Sequence, residues 1–134
     1  MSNERTMIFV YGTLMSGLRL NPVLQGERAV LVEKDAVLPG HALVDVGAWF
    51  PGVIPLEGHQ VRGELYSVDE NALAHLDQVE GCPTLYRRER CRVAVEGGEH
   101  GAWFYCWAGR ADETDVYDSD SWRDVMPVRE PLEA

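Results

Sequence analysis

SVDENALAHLDQVEGCPTLYRRERCRVAV, Ser67 to Val95, holds the reading on which the fold turns. Ala72, Leu73, Leu76 and Val79 recur at helical spacing, so its first half predicts an amphipathic helix. Ser67 with Glu70 forms a capping-box pattern at its start, and Asp69 offers a cap one register later. Gly81 and Pro83 stop the helix. From Leu85 to Val95 the pattern changes to alternation, which predicts a strand. One residue stands at the change of period: Glu80, a carboxylate at the negative end of a helix, against the local electrostatic preference.

Working outward, GEHG (Gly98 to Gly101) predicts a reversal, and AWFYCW (Ala102 to Trp107) reads as the hairpin partner of the Leu85 strand. Upstream, QVRGELYSV (Gln60 to Val68) alternates as a strand should. Gly47 to Gly58 carries Gly or Pro at short intervals and predicts a shaped loop or an edge strand. Arg28 to Val37 and His41 to Val46 are two further strand candidates. Met7 to Tyr11 is a short continuous apolar run, hence a strand buried on both faces. It empties into Gly12 and TLMSGL. Beyond Gly109 the chain turns acidic and polar and ends in an extended, Pro-bearing tail. Many strands with one clear helix predict an α+β fold, a small mixed β-barrel with its helix packed outside, as a single domain.

Composition narrows the function. Twelve basic residues against 22 acidic ones give a net charge of −10, which disfavours nucleic acid and anionic membranes as partners. The one basic cluster, Arg87, Arg88, Arg90 and Arg92, is divided by alternation between the two faces of its strand. No apolar run reaches membrane-spanning length, and MSNERT lacks signal-peptide order, so the expected location is cytoplasmic. Cys82, Cys91 and Cys106 are too few for a disulfide framework and fit reduced thiols.

Several chemistries lack their residues. Gly12 and Gly17 have phosphate-loop spacing, but Leu18 and Arg19 stand where Lys and Ser or Thr are required. His41, His59, His75 and His100 show no metal-ligand spacing. Asp118-Ser119-Asp120 begins like a calcium loop, and Trp122 then takes a ligand position. There is no G-x-S-x-G elbow. What remains is the turn after Phe9-Val10-Tyr11, whose backbone N–H groups can cradle an anion or oxyanion, and Glu80. A free Glu titrates near about 4.3, whereas the helix end and partial burial among Val79, Leu85 and Tyr86 would move this one toward the range of a general base. The residues leave a second reading open, an exposed Glu80 paired with Arg87 or Arg88.

Tyr11-Gly12-Thr13-Leu14, GELYSVD (Gly63 to Asp69) and LDQVEGCPTLYRR (Leu76 to Arg88) occur in that order, with Tyr-Asp-Ser at Tyr117 to Ser119. Across about residues 7 to 120 this set resembles the γ-glutamylcyclotransferase-like superfamily, and within it most closely the γ-glutamylamine cyclotransferases. The resemblance implies a small β-barrel with flanking helices, no metal or organic cofactor, and a small-molecule γ-glutamyl substrate converted to 5-oxoproline and a free amine. It makes Glu80 the active carboxylate and Tyr11, Gly12, Thr13 and Leu14 the substrate-holding turn, with Tyr86 beside them. Trp107 departs from the family's usual Tyr, and the Trp49 to Ile54 loop differs in detail; both bear on the leaving group.

Overall fold

The computed structural model describes residues 5–18, 21–25 and 29–126. Strand β1 (Arg5–Val10) is central, as its apolar run predicts: Ile8, Phe9 and Val10 are all buried. It pairs antiparallel with β3 (Pro51–Asp69) and parallel with β5 (Gly98–Trp107). A short helix α1 (Asn21–Gln25) precedes β2 (Val30–Asp45), which lies between β3 and β4 (Tyr86–Val95). The order β1-β3-β2-β4-β5 closes into a mixed barrel, with helix α2 (Glu70–Val79) packed against it. No helix among the described residues is long and apolar enough to cross a membrane.

The strands are longer than the sequence pattern suggests. The two separate candidates at Arg28 to Val37 and His41 to Val46 are one 16-residue strand. A register shift between Pro39 and His41, with Gly40 at φ 75°, interrupts the alternation without ending the pairing. The Gly/Pro segment likewise contributes strand from Pro51 onward, so a loop describes only its first residues. Pro51 to Pro55 pairs with β2 alone, the edge setting in which proline is tolerated. Farther along β3, Gly63 is required by packing, since a Cβ there would stand 2.2 Å from the Val10 carbonyl oxygen.

Three local expectations change. The capping box is not used: Ser67 belongs to β3, and Asp69 caps α2 by accepting from the Ala72 N–H at 2.8 Å. The competition is resolved by β3, whose ladder with β1 runs on through Asp69. The β4–β5 hairpin turns at Glu96–Gly97 rather than within GEHG, because Gly97 supplies the positive φ (90°) of a tight reversal. The acidic segment after Gly109 folds back onto the barrel. Val116 bridges Val44, and the Tyr117 N–H donates to the Leu43 carbonyl at 3.0 Å. Single-turn helix α3 (Trp122–Val125) then inserts Trp122, fully buried, against Tyr117. The Pro-bearing end of the tail, 127–134, and Arg28 lie outside the described residues.

Candidate active site

The end of β1 and the end of α2 meet at one cleft. After Val10 the chain winds through two tight turns, with the Met15 N–H donating to the Gly12 carbonyl and the Leu18 N–H to that of Met15, both at 3.0 Å. Tyr11, Thr13 and Leu14 are buried, and Gly12 lies against the Pro51 ring, where a Cβ would meet Pro51 Cγ and Cδ at 3.1 Å. The N–H groups of Gly12, Thr13 and Leu14 donate to no other described residue. Across the cleft Glu80 closes α2. Its own N–H returns to the Leu76 carbonyl at 2.9 Å, and Gly81, at φ 68°, turns the chain away.

The cleft is narrow, with a cavity volume of about 30 Å³, and it opens to solvent. Its wall includes all six residues singled out in the sequence: Tyr11, Gly12, Thr13, Leu14, Glu80 and Tyr86. Three tyrosines brace it. Tyr11 Oη donates to the Tyr105 carbonyl at 2.5 Å, Tyr86 Oη to the Pro51 carbonyl at 2.6 Å, and Tyr105 Oη to Asp77 Oδ1 at 2.8 Å. Burial pushes all three phenols well above their ordinary range, and the nearby Glu80 carboxyl adds to this, so they stay neutral hydrogen-bond donors.

Glu80 itself is half-buried, and its carboxyl makes no ion pair or hydrogen bond with a described residue. The arginines that could have neutralised it are engaged elsewhere. Arg87 pairs with Glu89 at 3.0 Å, and Arg88 with Asp77 at 2.8 Å. Burial raises the Glu80 pKa from an ordinary 4.5 to about 7. Val79 and Leu85 are themselves exposed, at 36% and 39%, whereas Tyr86 lines the cleft beside Glu80.

Phe9 and Val10 of β1 also line the wall, as do Phe50, Pro51 and Tyr105, and these last three were not evident in the sequence. Phe50 and Pro51 fell in a segment read as loop or edge. Tyr105 sat in a strand whose register with β4 (Arg88 opposite Tyr105, Tyr86 opposite Trp107) no local pattern specifies. Trp107 stands in the row behind, 5.4 Å from Tyr86 and 6.5 Å from Phe50 between ring centres, and so shapes the wall through them. Cys82 does not line the cleft; burial, then Asp77 and Glu80, hold its thiol neutral. The wall carries no Lys, Arg or His among the described residues. Among the described residues no group of three or more His, Cys, Asp or Glu is placed to hold a metal ion.

A wider hollow lies between the β2–β3 ribbon and the C-terminal segment, lined by His59, Gln60 and Asp120 among others. Its Asp120 is already bound by Gln60 and Arg62, each at 2.8 Å, which holds that carboxyl below its usual range despite the opposing effect of burial. The smaller cleft, by contrast, holds the Glu80 carboxyl, which has no partner among the described residues.

The family model described as gamma-glutamyl cyclotransferase, AIG2-like, matches residues 8–124. The chain belongs to that family. A provisionally named gamma-glutamylcyclotransferase of Vibrio cholerae is 38% identical over 117 residues, 87% of this chain and 94% of the relative. The gamma-glutamylaminecyclotransferase of Bos taurus is 41% identical over 102 residues, 72% of this chain and 61% of the bovine protein. The gamma-L-glutamyl-butirosin B gamma-glutamyl cyclotransferase of Niallia circulans is 34% identical, covering 84% and 73% of the two chains. Among solved structures, an AIG2-like mouse protein superposes with a TM-score of 0.76 at 30% identity, over 92% of this chain and 95% of that one. This family member therefore has the mixed barrel that its strand pattern predicts, with the cleft at the mouth of β1.

Proposed function

We propose that this chain is a γ-glutamylamine cyclotransferase, converting a γ-glutamyl amine to 5-oxoproline and the free amine with Glu80 as general acid and base. The observation that carries the reading is the Glu80 carboxyl: half-buried, without a partner among the described residues, and titrating at about 7 across a cleft from three undonated backbone N–H groups.

In this reaction the substrate supplies its own nucleophile. The α-amine is mostly ammonium at neutral pH, with a pKa of roughly 8. Glu80 as carboxylate takes one proton from it, and the amine nitrogen attacks the γ-carbonyl carbon to close a five-membered ring. The bond from that carbon to the leaving nitrogen then breaks as the proton held by Glu80 passes to the departing amine, and the ring nitrogen gives its second proton to the regenerated Glu80 carboxylate, which passes it to solvent or to the released amine. No covalent enzyme intermediate is needed, which suits a wall whose described residues pair no nucleophile with a base. The N–H groups of Gly12, Thr13 and Leu14 hold the substrate and the developing oxyanion. A narrow cleft braced by Tyr11, Tyr86 and Tyr105 restricts the bound chain to its ring-closing conformers.

The described residues of the wall offer no Lys, Arg or His to pair with a carboxylate on the leaving group, which favours a γ-glutamyl amine over a γ-glutamyl amino acid. The bovine relative's name agrees. The Niallia circulans relative supports a second reading, the same chemistry on a larger γ-glutamylated metabolite. The test is release of 5-oxoproline by purified protein from simple γ-glutamyl amines, γ-glutamyl-ε-lysine, γ-glutamyl amino acids and glutathione. Product chiefly from the amines supports the proposal, and product chiefly from the others transfers the chemistry to another leaving group. No product from any of them would favour a non-catalytic binding protein of this fold.

A further inference from the structure

The turn that faces Glu80 is itself held from behind by a second carboxylate. Glu64, on β3 directly opposite Val10 in the β1–β3 ladder, is 4% exposed and does not line the cleft. Its Oε1 accepts from the Ser16 N–H and its Oε2 from Ser16 Oγ, both at 2.7 Å. Arg123 of α3 reaches in to donate to the Ser16 carbonyl at 2.7 Å and to Glu64 Oε2 at 3.2 Å. On the other flank Asn21 donates to the Leu14 carbonyl at 2.8 Å and to Tyr66 Oη at 3.1 Å, and Tyr66 Oη donates to Glu64 Oε1 at 3.4 Å.

A carboxylate buried inside a barrel strand is costly, and an apolar side chain of similar size would stabilise the fold as well or better. What an apolar residue cannot do is bind a backbone N–H and a hydroxyl of the same loop residue together. The strongest contacts of Glu64 go to Ser16, two residues past Leu14, and its cation, Arg123, grips the carbonyl of that same residue. We infer that Glu64, clamped by Arg123, is a positioning residue that sets the substrate-holding turn through Ser16 and thereby controls substrate affinity. The inference rests on the cyclotransferase reading above, in which the N–H groups of Gly12 to Leu14 contact the substrate.

The experiment compares steady-state 5-oxoproline release by the wild-type protein, Glu64→Gln, Ser16→Ala, the double variant and Arg123→Gln. Weakening hydrogen bonds to a charged group should raise KM in Glu64→Gln by about tenfold or more, with kcat within about threefold of wild type. The acid limb of the pH–rate profile, which belongs to Glu80, should stay in place. Ser16→Ala should raise KM less, and the double variant should be no worse than Glu64→Gln, because the two residues act as one unit. A residue that merely supports the fold would lower the melting temperature and the active fraction, hence the apparent kcat, and leave KM alone. That result for Glu64→Gln overturns the inference. If Glu64→Gln does not fold, Arg123→Gln decides, since Arg123 lies at the surface: a raised KM supports the clamp and an unchanged KM overturns it. No turnover by the wild-type protein on any γ-glutamyl amide would instead overturn the functional reading, and this inference with it.

Discussion

Replacing Glu80 by Gln should make the protein more stable at alkaline pH while disabling it. Burial lifts the carboxyl from 4.5 to about 7, so the folded state holds its proton over a window in which the unfolded chain has lost it. Below about pH 4.5 both states are protonated and the group costs nothing. Between about 4.5 and 7 the unfolded state releases the proton first, and stability falls by about 1.4 kcal/mol per pH unit. Above about pH 7 both states are ionised and the full penalty is in force, nominally about 3 kcal/mol. Because Glu80 is only half-buried, solvent screening reduces this to on the order of 2 kcal/mol. Gln keeps the shape without the charge. Glu80→Gln should therefore match wild type near pH 4 and exceed it by on the order of 2 kcal/mol at pH 8. At about 2.1 cal/mol/K of unfolding entropy per residue, that is roughly 7 °C in Tm for a chain of this length. Calorimetric melts of both proteins at pH 4, 6 and 8 measure the difference. A Gln variant less stable than wild type at pH 8, or a difference constant across pH, would refute the claim that the carboxyl is shielded and without a partner.

Three further outcomes follow from the same geometry. Since the base form of Glu80 must receive the substrate's proton, kcat/KM should rise with pH through about 7; a profile flat from pH 5 to 8 would contradict this. Tyr86→Phe removes the donor to the Pro51 carbonyl and should cost about 1–3 kcal/mol in urea denaturation, while a loss below about 0.5 kcal/mol would mean the bond is not a brace. Trp122→Ala should cost about 3–5 kcal/mol, because the indole is fully buried; a cost under about 1 kcal/mol would show that the C-terminal segment is not part of the core.

What the sequence disclosed and what it withheld divide along physical lines. Helix α2 and strand β4 were legible because each has its own period, and Glu80 stood out because it sits where the two periods meet. The joined strand β2 was hidden by the register shift at Gly40, which breaks alternation while leaving the ladder intact. Asp69 outcompeted Ser67 as the cap because strand pairing, a tertiary fact, already claimed Ser67. The candidate site was half visible. Tyr11 to Leu14 lie where an apolar strand empties into a glycine turn and were singled out through the family resemblance, whereas Phe50, Pro51 and Tyr105 reach the cleft only through barrel closure. Nothing local marks Glu64 either, since its partners Ser16 and Arg123 lie 48 and 59 residues away along the chain.

The central claim is that one carboxyl group carries the proton between the substrate's α-amine and its leaving nitrogen. It is tested most directly by measuring 5-oxoproline release from a γ-glutamyl amine by wild type and Glu80→Gln at pH 8, beside circular dichroism and melts that confirm both are folded. The account predicts product from the wild-type protein and a loss of at least about a hundredfold in the Gln variant, in line with the usual weight of general acid–base catalysis. Undiminished release by a folded Glu80→Gln protein would contradict it.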